Sequence, residues 1–294
     1  MVKSMKRRHL LKALGLGCIG FGIAPEILAK TVRGYFAGAT YSTDGATYST
    51  DDGLKDYLHK IHNFNHPHQD DLQIDSNLYG AFESTVMRLR RLQKLVGHGN
   101  FHILNFSDGL SLARNYSRVG RFTKSELSFM ETIFYEDGQH YGFLGQKPIK
   151  EITDQVKKND VVKIPYSGNY LYKDRSIEIF ERIRKELGDQ VVLTSGIRSV
   201  MKQFLLFLNK VYDSNGNLSL ASRSLAPPGY SFHGNGDFDV GQVGYGALNF
   251  TGRFTETEVY KKLTELGYLQ LRYPQDNMLG VRYEPWHIKI NADV

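Results

Sequence analysis

Three segments in the second half of the chain hold side chains able to do hydrolytic chemistry. They are Ser195-Gly196-Ile197-Arg198-Ser199 with Gln203 behind it, Ser231-Phe232-His233-Gly234-Asn235-Gly236-Asp237-Phe238-Asp239, and Glu284-Pro285-Trp286-His287. By residue type they offer two imidazoles and a carboxylate as ligands, a further carboxylate beside one imidazole, and an arginine. Two His and one Asp form a three-ligand set that leaves the fourth position of a zinc ion open to water, which marks a catalytic centre and not a structural one. A metal so held lowers the pKa of its water toward about 7, and a neighbouring Glu can take the proton.

Taken in order, these segments resemble the zinc D-alanyl-D-alanine carboxypeptidases of the VanY type, a family that also includes VanX dipeptidases, phage endolysin peptidases and the hedgehog signalling fold. The family pattern is a Ser-Gly-Tyr-Arg-Ser box, a Ser-x-His-x-x-Gly-x-Ala-x-Asp box and a Glu-x-Trp-His box, and all three recur over about residues 190 to 290. The resemblance implies Zn2+ held by His233, an Asp and His287, with Glu284 as general base. It implies that Arg198 polarises the scissile carbonyl and stabilises the oxyanion, as preorganised positive charge does where negative charge develops. Ser231, Gln203 and Ser199 are the expected substrate-binding neighbours, and peptidoglycan stem peptides the expected substrates.

Two departures stand out. Ile197 replaces the usual Tyr, and the middle box is one residue short, with five residues between His233 and Asp239 where the family has six. If residues 237 to 240 run as a strand, Asp237 and Asp239 share a face. Asp239, at the end of the box before Val240, is the favoured ligand and Asp237 the alternative. Gly234 and Gly236 can absorb the deletion in a turn. Glu284 and His287 are three apart, so a regular strand would point them to opposite faces; the site requires a bend or bulge there, with which Pro285 is compatible. Trp286, the single Trp, reads as a packing wall behind His287.

The elements that must carry these boxes follow from periodicity. Leu78, Phe82, Val86, Leu89, Leu92 and Val96 predict a helix over 78–96. Helices are also expected over 54–62 and 125–135, the second with Thr123 and Glu126 at capping-box spacing. Beyond Asp160, short β-rich runs at 161–165 and 191–195 alternate with helices over about 175–187 and from the Ser199 region to about 211. This predicts an α+β fold, a small antiparallel sheet with flanking helices of the hedgehog/DD-peptidase kind, preceded by a mostly helical N-terminal region. The expected division is a leader over 1–29, the helical region over 30–135 and a zinc metallopeptidase domain over 136–294.

The remaining sequence limits the alternatives. Of 294 residues, 41% are hydrophobic and 23% charged, the composition of a folded protein. The net charge of +6 is concentrated in the first 29 residues, where Lys3, Lys6, Arg7, Arg8 and Lys12 face Glu26 alone. The rest is nearly neutral, so no nucleic-acid partner is indicated. Arg7-Arg8 before the apolar run from Leu10 to about Ala24, with Ile27-Leu28-Ala29 as a cleavage site, predicts export through a twin-arginine-type signal to the periplasm. That run falls short of the roughly 20 residues of a spanning helix, so no stable membrane span is expected after cleavage. Cys18, the one cysteine, lies inside this leader; a mature chain without it has neither disulfide nor cysteine nucleophile.

Residues 30–53 contain the repeat Ala-Thr-Tyr-Ser-Thr-Asp, expected as a loop or extended arm. His59, His62, His66 and His68 cluster within ten residues, but His66-Pro67-His68 interrupts any helix and a polar loop is expected. His98, His102 and His140 carry no chemical signal of their own, and the Tyr-rich stretch 166–172 suits either a groove wall or strand packing. The leading expectation is therefore a peptidase that removes terminal D-Ala from wall peptides. The alternative is a metal-binding but inactive module that recognises wall peptides or a protein partner, which Glu284 and Arg198 disfavour and the shortened box favours.

Overall fold

The computed structural model of the chain describes residues 50–173, 175–275 and 277–290. The leader, and the repeat up to Ser49, lie outside the described residues. Helix α1 spans Thr50–His62, beginning four residues earlier than periodicity indicated. It is followed by α2 (Tyr79–Val96), the single turn α3 (His98–Phe101), α4 (Phe106–Asn115) and α5 (Lys124–Tyr135). α2 buries Phe82, Val86, Leu89 and Leu92 along one stripe. The expected capping box of α5 is formed: Thr123 Oγ1 accepts from the Glu126 amide while the Glu126 carboxylate accepts from the Thr123 amide. The same carboxylate pairs with Arg88 of α2, locking the two helices together.

The second half is α+β, as expected. β1 (Val161–Lys163) and β2 (Tyr170–Tyr172) form an antiparallel hairpin, and α6 covers Arg175–Leu187. β3 (Val191–Ser195), β4 (Phe238–Gln242) and β5 (His287–Ile288) make a three-stranded antiparallel sheet in that order. Between β3 and β4 come α7 (Val200–Asp213) and the short α8 (Leu218–Ser222), and α9 (Glu258–Glu265) precedes β5. Leu193, Val240, Phe238 and Ile288 of the sheet pack with Phe180, Phe254 and Trp286.

The helical region and the sheet-bearing half share one core across residue 135. Phe82, Leu89, Phe129 and Phe134 cluster with Ile149 and Ile152 and with Phe204, Phe207 and Leu208 of α7. Each such fully buried apolar side chain contributes about 1.5–3 kcal/mol, so α7, which leaves directly from the Arg198 box, is anchored in the N-terminal helices. Among the described residues, no helix is long and apolar enough to cross a membrane.

Candidate metal centre

The sheet register brings the three boxes together. Ser195 lies opposite Asp239, and Asp239 opposite His287, so one row of side chains crosses all three strands. Side chains at paired positions share a face, with Cβ atoms about 5 Å apart. The register between β3 and β4 shifts between Leu193 and Ser195, a bulge that ends regular pairing where the Arg198 loop departs. The bend expected before His287 is present: its amide donates to the Glu284 carbonyl, and pairing is limited to two residues. This turns the Glu284 side chain back, so that its Oε2 lies 3.4 Å from His287 Nδ1.

His233 enters from the turn Phe232–Asn235. Gly236 closes that turn at φ 110°, a conformation L side chains rarely adopt. Tyr172 donates to the Gly234 carbonyl and Ser176 to that of Gly236, both at 2.9 Å, so the shortened loop is tied to β2 and α6. His233 Nδ1 donates to the Gly196 carbonyl at 2.8 Å, since a carbonyl can only accept, leaving Nε2 unprotonated when the ring is neutral.

His233, Asp239 and His287 each turn one ligand atom toward a common point, all within 4.8 Å of one another, and all three residues are buried. Asp239 Oδ1 is 3.3 Å from His233 Nε2 and 3.4 Å from His287 Nδ1. The three atoms are thus close enough for one metal ion to be shared among them. His233 Nε2 and Asp239 Oδ1 are fully buried with no hydrogen-bond partner. Buried polar atoms are rarely left so, and a divalent cation satisfies both. Borderline nitrogen ligands with one carboxylate suit zinc.

The charges fit. Burial works against ionised Asp239, yet the His233 and Arg198 charges hold its carboxyl well below the usual range. Burial and then Arg198 keep the His233 ring on the neutral side of its ordinary value. His287 behaves oppositely: burial lowers it, but hydrogen bonds to Asp237 and Glu284 outweigh that and carry it up to about 9 in the metal-free chain.

Asp237 stands on the far side of His287. Its Oδ2 lies 3.0 Å from His287 Nε2, and it is further bound by Arg272 at 2.9 Å and by the Ile290 amide at 3.0 Å. A carboxylate on the outer nitrogen fixes the tautomer and directs the other nitrogen at the metal. The two acids the sequence left as competitors thus occupy different positions about one imidazole. Arg272, whose guanidinium also stacks 3.6 Å from the centre of the Phe232 ring, carries no sequence signal for this role.

Arg198, Ser231, His233, Glu284 and His287 line one cleft with Tyr273 and the apolar Leu206, Leu225, Ala226 and Val281. Arg198 Nη2 donates to Asp239 Oδ2 at 2.8 Å and its Nε to Ser195 Oγ at 3.0 Å. Two of the expected substrate-binding residues make hydrogen bonds to the chain's own backbone. Ser199 caps α7 by accepting from the Lys202 amide and does not face the cleft. Gln203 reaches the cleft wall, where its amide N–H donates to the Arg198 carbonyl and its amide oxygen accepts from the Gly229 amide, so it braces both loops. The His59–His68 cluster joins no group of ligands among the described residues.

A buried two-histidine, one-carboxylate group, with a further carboxylate and a guanidinium at its cleft, has the residue types that metal-dependent hydrolysis uses. Residues 172–292 match the model of the VanY family, D-alanyl-D-alanine carboxypeptidase. Among solved structures, the chain is similar to the LdcB LD-carboxypeptidase (24% identity over 46% of this chain and 69% of that chain, TM-score 0.39). It is also similar to the vancomycin-resistance D,D-pentapeptidase VanY from a VanB-type cassette, solved with Zn(II) (25% identity, 51% and 88% covered, TM-score 0.38). A third is VanYB with D-alanine-D-alanine (24% identity, 51% and 86% covered, TM-score 0.38). No curated protein matches the chain.

Proposed function

We propose that this chain is a zinc-dependent D,D-carboxypeptidase that removes the terminal D-Ala of peptidoglycan stem peptides, with zinc held by His233, Asp239 and His287. The observation that carries this reading is the pair of partnerless buried ligand atoms, His233 Nε2 and Asp239 Oδ1, in the same cleft as Glu284 and Arg198. Zinc, when bound, supplies Lewis acidity and a water acidified toward neutrality.

The chain's own groups do the rest. Glu284 takes the proton of the attacking water and passes it to the leaving amine, roles its place beside His287 suits. Arg198 sets positive charge at the cleft where the carbonyl oxygen becomes negative. Asp239 holds that guanidinium in place through the oxygen it does not offer to the metal. Ser231 lends a hydroxyl for the substrate's polar backbone, and Leu206, Leu225, Ala226 and Val281 give a small apolar wall suited to alanine methyl groups. Export by residues 1–29 would bring the enzyme to its substrate.

The test is hydrolysis of a purified muropeptide pentapeptide, read by mass spectrometry, for wild type and Glu284→Ala with bound zinc quantified in each. Release of D-Ala by the wild type, and its loss in a variant that keeps zinc, supports the reading. One zinc per chain with no wall peptide cut would replace it with a peptide-binding module.

A further inference from the structure

Arg198 sits in a loop of four residues between β3 and α7, and most backbone groups of that loop are held, among them the Arg198 amide, which donates to the His233 carbonyl at 3.3 Å. The Gly196 carbonyl accepts from His233, the Ile197 amide donates to the Tyr170 carbonyl, and the Arg198 carbonyl accepts from Gln203. The two bonds that flank Arg198 go elsewhere, to a residue from the helical N-terminal region. His102 Nδ1 lies 3.2 Å from the Ile197 carbonyl, and the His102 carbonyl accepts from the Ser199 amide at 2.8 Å. Phe101, next in line, accepts from the Ser199 hydroxyl. Ile103 packs in a small cluster with Ile197, Val156 and Val161. Because the Ile197 oxygen can only accept, His102 must carry its proton on Nδ1. Burial first, and then the neighbouring Lys202 charge, hold its pKa down to about 3, so the ring is neutral and adds no repulsion toward Arg198.

We propose that His102 is a positioning residue for Arg198: it grips the chain on both sides of the arginine and thereby keeps the guanidinium on Asp239 and at the cleft. The helical N-terminal region is then a working part of the site, and not a detachable prodomain. The proposal rests on the role given to Arg198 above. Its mechanism is geometric, since displacement of a catalytic group by about 1 Å can cost on the order of 100-fold in rate.

The experiment uses the full mature chain with zinc loaded, and compares His102→Ala, His102→Asn and Arg198→Ala with the double variant His102→Ala/Arg198→Ala. Asn places an amide N–H where the imidazole Nδ1–H stood. Two readouts are taken: kcat and KM on the pentapeptide, and hydrogen exchange of the amides of residues 196–199. We expect His102→Ala to lower kcat by about 10- to 100-fold with KM and zinc content near wild type. Exchange at residues 196–199 rises, and His102→Asn recovers most of both effects. In the Arg198→Ala background, removal of His102 costs no further rate. Unchanged exchange and kcat in His102→Ala overturn the proposal, as does a double variant whose losses multiply. If the wild type cuts no peptide while exchange responds as expected, the carboxypeptidase reading fails and the clamp stands. If His102→Ala does not fold, exchange and kcat in His102→Asn decide: near wild type in both supports the donor role, loosened exchange with low kcat despite a folded chain and a retained donor opposes it.

Discussion

Asp237 Oδ2 and His287 Nε2 lie 3.0 Å apart, both buried, on the side of the imidazole away from the metal position. Asp237→Asn keeps the size but removes the charge that strengthens this bond. Loss of such an outer partner commonly costs about 10- to 100-fold in metal affinity. We therefore expect zinc to bind that much more weakly, as read by chelator competition, while far-ultraviolet circular dichroism stays unchanged. Equal affinity in the variant would show that the Asp237 charge is not needed to orient the ring.

Arg272 neutralises Asp237 from a distance of 2.9 Å, with both side chains almost wholly buried. Arg272→Met fills similar volume yet strands the carboxylate. Removing one partner of a buried pair costs about 3–5 kcal/mol, and the midpoint of urea unfolding should fall accordingly. A shift near zero would mean that the Ile290 amide and His287 suffice for Asp237.

His287 gives the pH dependence its sign. Its folded value of about 9 in the metal-free chain lies above the ordinary histidine value of about 6.5. The metal-free fold therefore holds the full contribution of this proton below about pH 6.5 and loses it as pH rises through 9. Metal binding must displace the proton at Nδ1, so zinc affinity should rise by about tenfold per pH unit toward 9 and then level off. Zinc titrations from about pH 6.5 to about 9.5 in a non-coordinating buffer check the affinity, and urea unfolding of the metal-free chain over the same range checks the stability; flat profiles would show that His287 is already neutral.

Gly196 is closed to any side chain, since a Cβ there would stand 2.1 Å from the Tyr170 carbonyl oxygen. Gly196→Ala must push the β1–β2 hairpin away from the Arg198 loop. Overpacking of this kind costs about 1–3 kcal/mol or more. We expect a lower melting temperature together with a loss of kcat beyond that of a stability-matched variant in α9. Loss of stability with full activity would separate the hairpin from the site.

The three boxes were legible because each is local: a short string whose residue types suit one chemistry, set in a strand, a turn and a bend. Their register was not, because the pairing of Ser195 with Asp239 and of Asp239 with His287 spans residues far apart in the chain. Arg272 and His102 were invisible for the same reason; an arginine 35 residues from its carboxylate and a histidine 95 residues from its carbonyl leave no periodic trace. Ser199 shows the reverse case. A serine directly before an apolar helical run signals a cap, and the pull of its place in the Arg198 box led to a substrate role instead. The helices α2, α5, α6 and α7 were readable from their apolar stripes.

The core that joins α2, α5 and α7 has a thermodynamic consequence. A face bearing Met201, Phe204, Leu205 and Leu208 is covered by helices that precede the VanY-type segment in the chain. Residues 172–292 expressed alone would present this greasy face to water and would seek another partner, by self-association or aggregation. In the intact chain the same seam should make the two halves melt as one cooperative unit, so that a fluctuation fraying the N-terminal helices would also loosen His233, Asp239 and His287.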